Sequence, residues 1–398
     1  LPPYSEIDAS NTCSKIGRVK VVVQVRLLPS AVQAAALLET LHACNAAADK
    51  VSKMAFERGV HSRNDLQKLV YADVRGFGLG AQAAVRTIKK VVDACASLQA
   101  SIRTGNLAGP RRRKAEGKAI RFRKGAAQPF DDRMLSWRYD ARTVSIWTTS
   151  GRLKGVRIVG HPAQLDSLRS HRRGETDLVR RDGKWLLIAT CEVPEPEPVV
   201  PSDWIGVDRG IVNLATTSDG TNFQGLRLRR YRRWQERKRA ELRVKRTKSA
   251  TRRLRRRARR EHRHVTNVNH VIAKKLVAVA QRTGRGIALE DLRGIRNRVQ
   301  LRRDQRAIRS SWPFHQLGAF IAYKARRAGV VVITVDARFT SQMCPGCGHT
   351  ARDNRRDRDR FCCRRCGFAG PADHVAGINV RNRARSAWVL VNVPEPAA

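Results

Sequence analysis

At 398 residues with 41% hydrophobic content, the chain can build two or three cores and reads as multidomain. Eighty Lys and Arg against 34 Asp and Glu leave a net charge of +46, which calls for a polyanionic partner. No stretch reaches the ~20 apolar residues of a membrane span, no amphipathic anchor carries Trp or Phe on one face, and the first residues lack the pattern of a secretory leader. No membrane association and a cytoplasmic, nucleoid-associated location are therefore expected.

Residues 18–29, "RVKVVVQVRLLP", are β-branched and end at Pro29, which predicts a strand. Ser30 with Gln33 forms a capping box at a helix start, and Leu37, Leu41, Cys44, Ala48, Val51 and Met54 recur on one face beyond it. Val85, Ile88, Val92, Cys95 and Leu98 predict a second helix. Residues 30–105 thus form a helical lobe. From 118 the pattern turns to short strands: "AIRFR", "TVSIWTT", "GVRIVG" and the hairpin "TDLVRRDGKWLLIATCEV", turning at Asp182-Gly183. With the first strand they predict a β-barrel over 19–29 and 106–193, interrupted by the helical lobe. The run "PEPEPVVP", 194–201, is a proline-rich linker and domain boundary.

Beyond the linker, "DWIGVDRGIVNLATTSDGTNFQG" predicts two strands and a hairpin turn at Asp219-Gly220. Residues 227–264 hold 20 Lys or Arg against three Glu. Charge runs of this kind are usually solvated tails, but strands flank this one. One or two ordered helices along a phosphate backbone are expected, with Arg252, Arg253, Arg255, Arg256, Arg259 and Arg260 as candidate nucleic-acid contacts. A helix through "HVTNVNHVIAKKLVAVAQRTG", a strand "GIALEDL", a loop, a helix near 311–328 and a buried strand "VVVITV" complete an α/β pattern.

Nine cysteines, five of them between 344 and 366, suit a reducing compartment. Cys344-x-x-Cys347 and Cys363-x-x-Cys366 have the spacing of a four-cysteine zinc ribbon. Cys362 lacks the right spacing to Cys366 and is left out. Gly346, Gly348 and Gly367 allow the knuckle turns. The spacer is too polar for a core, so Zn²⁺ must hold the unit together, and four thiolates leave no open position. That zinc is structural, and catalysis must lie elsewhere.

Asp208 ends the apolar strand "WIGVD", where a charge needs a cation or a hydrogen-bonding partner, and Gly206 and Gly210 leave room beside it. Glu290 ends "GIALE", leaving the face shared by Ile287 and Leu289; Asp291 points the other way. Asp373 follows Pro371 at a helix start, where a carboxylate is ordinary. Taken singly, each is equally well explained as a structural acid. Three such acids after the linker, at two strand ends and a helix start, can converge on two hard cations. His374, His315, His262 and His264 receive no role.

The segments "IGVDRGIVNLATTSDG", "IALEDLRGI", "SSWPFHQLGAFIAYKARRAGV", "TSQMCPGCGH" and "ADHVAGINV" fall in the order found in the TnpB (OrfB) proteins of insertion sequences, which are similar to compact type V CRISPR effectors. The resemblance is dense over 202–385 and looser over 19–200. It implies an RNase H-like (RuvC) nuclease domain over 202–340 and 371–390, with Asp208, Glu290 and Asp373 as acids for catalytic Mg²⁺, two ions, and the zinc ribbon, 341–370, inserted before the Asp373 helix. Residues 1–18 and 391–398 are tails. The barrel and helical lobe would hold a guide RNA and target double-stranded DNA. Family members often carry Asn two residues after the third acid; Val375 stands there instead, although that Asn is not a metal ligand.

The expected activity is RNA-guided DNA cleavage by a two-metal RuvC mechanism. The alternative is an RNA-guided DNA-binding regulator, weak or inactive in cutting, which the intact acids disfavour. A plain zinc-ribbon RNA-binding protein leaves the three acids unexplained. A strand-joining transposase would need a His-x-His motif paired with a nucleophilic Tyr, and no such pairing is read in the sequence.

Overall fold

The computed structural model describes residues 17–292 and 314–392. The tails up to 16 and from 393, Cys13, and the loop and helix start expected within 293–313 lie outside the described residues. The chain divides into two units, Arg18–Pro194 and Glu195–Ala398, the latter joined by Leu1–Gly17.

In the first unit, β1 (Arg18–Leu28) runs to Ser30, whose hydroxyl accepts the Gln33 N–H while the Gln33 side chain accepts the Ser30 N–H. This reciprocal cap starts α1 (Ala31–Arg58), which ends where Gly59 turns left-handed at φ 64°. Leu37, Leu41, Cys44, Ala48 and Val51 are fully buried along one stripe, and each large aliphatic contributes about 2 kcal/mol of apolar burial. α2 (Arg63–Arg75), which the sequence reading missed, buries Leu66, Val70 and Val74. α3 (Ala81–Arg103) turns Ala83, Ala84, Thr87, Ile88 and Val91 inward. Its buried face is therefore set back from the expected Val85, Val92, Cys95 stripe, because small residues permit the closer approach of α1.

A short α4 (Gly109–Glu116) follows. The expected strand "AIRFR" is absent. One of its backbone groups goes to α1 instead, the Phe122 N–H donating to Asp49 Oδ1 (2.5 Å), and just beyond it Asn45 of α1 donates to the Lys124 and Ala126 carbonyls (both 3.1 Å). The strands are β2 (Gln128–Phe130), β3 (Leu135–Arg138), β4 (Thr143–Thr148), β5 (Gly151–Val159), β6 (Arg172–Arg181) and β7 (Lys184–Pro194), with α5 (Pro162–His171) between β5 and β6. They form one antiparallel sheet in the order β2-β6-β7-β1-β5-β4-β3. Its two edge strands, β2 and β3, are consecutive and joined by a short turn, so the sheet curls into a nearly closed barrel. Asp182 (φ 51°) and Gly183 (φ 77°) make the predicted hairpin turn.

The second unit holds a mixed five-stranded sheet, order β10-β9-β8-β11-β12. β8 (Trp204–Asp208), β9 (Asn213–Thr217) and β10 (Asn222–Gln224) are an antiparallel meander. β11 (Gly286–Glu290) and β12 (Val332–Val335) run parallel to β8. β12 is an edge strand with only Val335 buried, not the buried strand expected. Between β10 and β11 stand α6 (Leu226–Val244) and α7 (Lys248–Arg282), the latter burying Val265, Ile272, Leu276 and Val277. α8 (Phe314–Arg326) packs on α7, and α9 (Ala372–Asn392) covers the opposite face of the sheet. The proline-rich linker is docked on this unit: Val199 bridges Val330, and Arg326 pairs with Glu195.

Gly206 does not leave space for a ligand, as its position beside Asp208 had suggested. A Cβ there would collide with the Gly377 carbonyl of α9, so the strand and helix backbones touch. That close approach sets the start of α9, and with it Asp373, near the end of β8.

Candidate active site and metal centre

Two knuckles build the metal centre. Gly348 (φ 73°) returns its N–H to the Cys344 carbonyl (3.0 Å), and Gly367 (φ 74°) does the same to Cys363 (3.1 Å). The four thiols of Cys344, Cys347, Cys363 and Cys366 lie within 4.8 Å of one another. Cys344–Cys366 and Cys347–Cys363 sulfurs are each 3.6 Å apart. Sulfurs around a tetrahedral Zn²⁺ at ~2.3 Å bonds would stand about 3.8 Å apart, so the cluster fits zinc. Burial pushes the Cys363 thiol up, but the Cys366 and Arg365 N–H groups draw it down to about 6, which favours the thiolate that binds metal. Cys362 is exposed on β13 (Arg360–Cys362) and stands outside the cluster. Asn354 pins the spacer by donating to the Gln342 and His349 carbonyls and accepting the Arg364 N–H.

The acids gather at one end of the mixed sheet. Leu289 pairs with Val207 in parallel register, so Glu290 and Asp208 emerge side by side from the two central strands. Glu290 is 6% exposed. Burial, with the charges of Glu290 and Asp373 close by, holds Asp208 well above the usual carboxylate range, and the Asp208 and Glu290 carboxyls hydrogen-bond to each other. Burial also raises Glu290, against the hydrogen bond from Thr340 and the charge of Arg209. Two carboxyls this close cannot both ionise unaided.

Asp373 lies in the first turn of α9. Its Oδ1 accepts from Arg355 Nη2 (2.9 Å) and its Oδ2 from Asn213 Nδ2 (2.8 Å). It is thereby drawn aside, and among the described residues only the four cysteines bring all their ligand atoms within 4.8 Å. Arg209, next to Asp208, donates to the Glu290 carbonyl. Asp291 gives its N–H to the Val335 carbonyl (2.8 Å). His374 donates Nε2–H to the Ser218 carbonyl (3.0 Å), an anchoring role. The His264 ring packs tilted against Tyr231, with centroids 4.5 Å apart, and His315 and His262 are exposed.

Arg252, Arg253, Arg255, Arg256, Arg259 and Arg260 all stand exposed on α7. Arg257 is instead held over the Trp234 ring at 5.0 Å and donates to Gln235 (3.0 Å). Arg355, Thr340 and Asn213 touch the acids and were missed in the sequence. Arg355 is one of five arginines between 352 and 360, and nothing local singles it out.

The fold and site define a two-part α/β plus β protein, with buried acids on a mixed sheet and a four-thiolate ribbon whose chain returns into the acid cluster. Residues 189–294 match the family model OrfB_IS605, described as "Probable transposase", and residues 314–380 match the model "Cas12f1-like, TNB domain". A CRISPR-associated endodeoxyribonuclease Cas12f1 of Syntrophomonas palmitatica is 25% identical over 56% of this chain and 48% of its own length. The putative RNA-guided DNA endonuclease InsQ of Escherichia coli K12 is 30% identical over 50% and 53%. The chain therefore spans about half the length of these relatives. In fold it resembles CasPhi-2 (Cas12j) bound to crRNA, with TM-score 0.55 at 11% identity, covering 97% of this chain and all of that one. The resemblance to the TnpB (OrfB) proteins is borne out, and the chain is similar to proteins named TnpB-like and Cas12f.

Proposed function

We propose that the chain is an RNA-guided DNA endonuclease of the TnpB type, cutting by RuvC-like, two-metal phosphodiester hydrolysis. The observation that carries this reading is the pair of half-buried Asp208 and buried Glu290 at adjacent parallel strand ends, with the charge of Asp373 beside them. A cation held there would offset the cost of placing like charges together out of water. Mg²⁺ bound there would polarise the phosphate and lower the pKa of the attacking water.

Asp208, Glu290 and Asp373 would hold that metal. Arg355, released from Asp373 as that carboxylate turns to the metal, would offer its planar fork of N–H donors to a phosphate oxygen. The five-stranded sheet with its acids supports an RNase H-like nuclease over 202–340 and 371–390, carrying the zinc ribbon of 341–370. The barrel of 19–29 and 106–193 and the helical lobe of 30–105 would hold guide RNA and target duplex, sequence being read by base pairing. The exposed arginines of α7 would meet phosphates, adding salt dependence without sequence preference.

Asp208→Ala should lower cutting of a guide-matched plasmid by at least ~1,000-fold while co-purified RNA, sequenced from both proteins, stays the same. Retained cutting would remove Asp208 from the mechanism. A random mixture of cellular RNA in the wild type would remove the guide.

A further inference from the structure

Thr340 is almost fully buried, at 4% exposure, and stands just before the first zinc knuckle. Its Oγ1 lies 2.6 Å from Glu290 Oε1 and 3.2 Å from the Ala337 carbonyl. One hydroxyl proton serves one acceptor at a time, and the shorter bond, to the carboxyl, is the stronger. The Thr340 carbonyl accepts in turn from Asn379 Nδ2 (2.7 Å), which also donates to the Met343 carbonyl (2.7 Å). Asn379 is wholly buried on α9, the helix that carries Asp373.

Phe339, immediately before, has a left-handed backbone at φ 58° while its side chain stays 58% exposed. That conformation is unfavourable in a non-glycine residue, and the Phe ring gains little burial in return. Its carbonyl accepts the N–H groups of Gln342 and Met343, both at 2.9 Å. The turn has a local result: Thr340 points inward, at Glu290. One residue thus connects the end of β11, the root of the zinc ribbon and the helix of the third acid.

We propose that Thr340 is a positioning residue for the nuclease centre, its hydroxyl fixing the Glu290 carboxylate in the orientation that receives the divalent metal. The proposal rests on the nuclease reading of the three acids. It makes the ribbon root part of the catalytic centre: a displacement of 340–343 moves the donor on which Glu290 is oriented.

The test compares Thr340→Val, of equal size without the hydroxyl, with Thr340→Ser, which restores it, in the full chain bound to its RNA. Mn²⁺ binding is followed by electron paramagnetic resonance, with Asp208→Ala as the blank, and the Mg²⁺ concentration for half-maximal cutting is measured alongside. Thr340→Val should weaken Asp208-dependent Mn²⁺ binding and raise the Mg²⁺ requirement on the order of tenfold, and Thr340→Ser should return both toward wild type. Where the valine variant loses the wild-type melting temperature, Thr340→Ala replaces it, with the same expectation. A hydroxyl-free variant that folds and matches wild type in both readouts overturns the proposal, as does a serine variant as weak as the valine. If wild type binds Mn²⁺ through Asp208 but cuts no DNA, the nuclease reading fails and the Mn²⁺ comparison still decides the role of Thr340. If wild type binds none through Asp208, both fail.

Discussion

In the 18–194 unit, half-buried cations meet acids or amide oxygens. Arg86 is 2.9 Å from Asp131 Oδ2 and also pairs with Glu175, and Lys90 donates to Asn45 Oδ1 at 2.6 Å beneath the Phe122 ring. In the 195–398 unit the acids meet each other: half-buried Asp208 faces buried Glu290 and feels Asp373. Both units place ionisable groups out of water, where an unpaired charge costs several kcal/mol. The first balances its own charge internally. The second leaves a deficit that a cation would fill.

The sharpest way to break the comparison is to move the acids apart without touching them. Gly206→Ala puts a methyl where α9 touches β8, so the helix must shift and take Asp373 with it. We expect cutting to fall at least ~100-fold with a stability loss of about 3 kcal/mol, checked by plasmid cleavage beside a urea titration. Intact cutting would mean that the spacing of α9 from β8 does not set the site.

Removing the cation from the balanced unit tests its other half. Arg86→Met leaves Asp131 and Glu175 facing each other with little solvent, and should destabilise the protein by about 3 kcal/mol, seen as a lower urea midpoint. The acid pair of the second unit should respond in the opposite sense. Asp208→Asn replaces a carboxyl whose ionisation the fold resists with an amide that does not ionise, and in metal-free buffer at pH 7 should stabilise the protein by about 1.5 kcal/mol. A loss of stability there would show that the carboxyl pair is already balanced by Arg209 and Arg355.

The same contrast marks how far the sequence could be read. β1, α1 with its Ser30 cap, and the Asp182-Gly183 hairpin were legible because local chemistry and tertiary packing agree there. "AIRFR" alternates as a strand should, yet its Phe122 N–H goes to Asp49 on α1, and Asn45 takes the Lys124 and Ala126 carbonyls just beyond it. Periodicity reports which side chains are buried, not who satisfies the main chain. α2 and α5 were missed because their apolar stripes are thin, Leu165 and Leu168 being all that α5 buries. Asp208 and Glu290 announced themselves as charges ending apolar strands. Arg355 and Thr340 act through contacts made only when the ribbon folds back, and no spacing rule marks them.

The smallest effect tests whether Lys90 is truly part of the balanced network. Burial lowers its pKa to about 8 from an ordinary 10.5, with Cys44, Asp177 and Asp49 pulling it back up. From pH 8 upward the folded protein has released a proton that the unfolded chain still holds, so stability rises with pH toward 10.5. Cys44 acts in the opposite direction. Burial lifts its thiol to about 11 from 9, so above pH 9 the folded protein keeps a proton that the unfolded chain has lost, and stability falls. Together they predict a rise of about 1 kcal/mol between pH 8 and 9 and near cancellation above it. Urea midpoints measured from pH 7.5 to 10.5 should show that rise; Lys90→Met should abolish it, and Cys44→Ala should extend it toward pH 10.5. A flat profile in the wild type would mean that Lys90 keeps its ordinary pKa, and that the first unit carries its buried charge at no cost the second unit could be compared with.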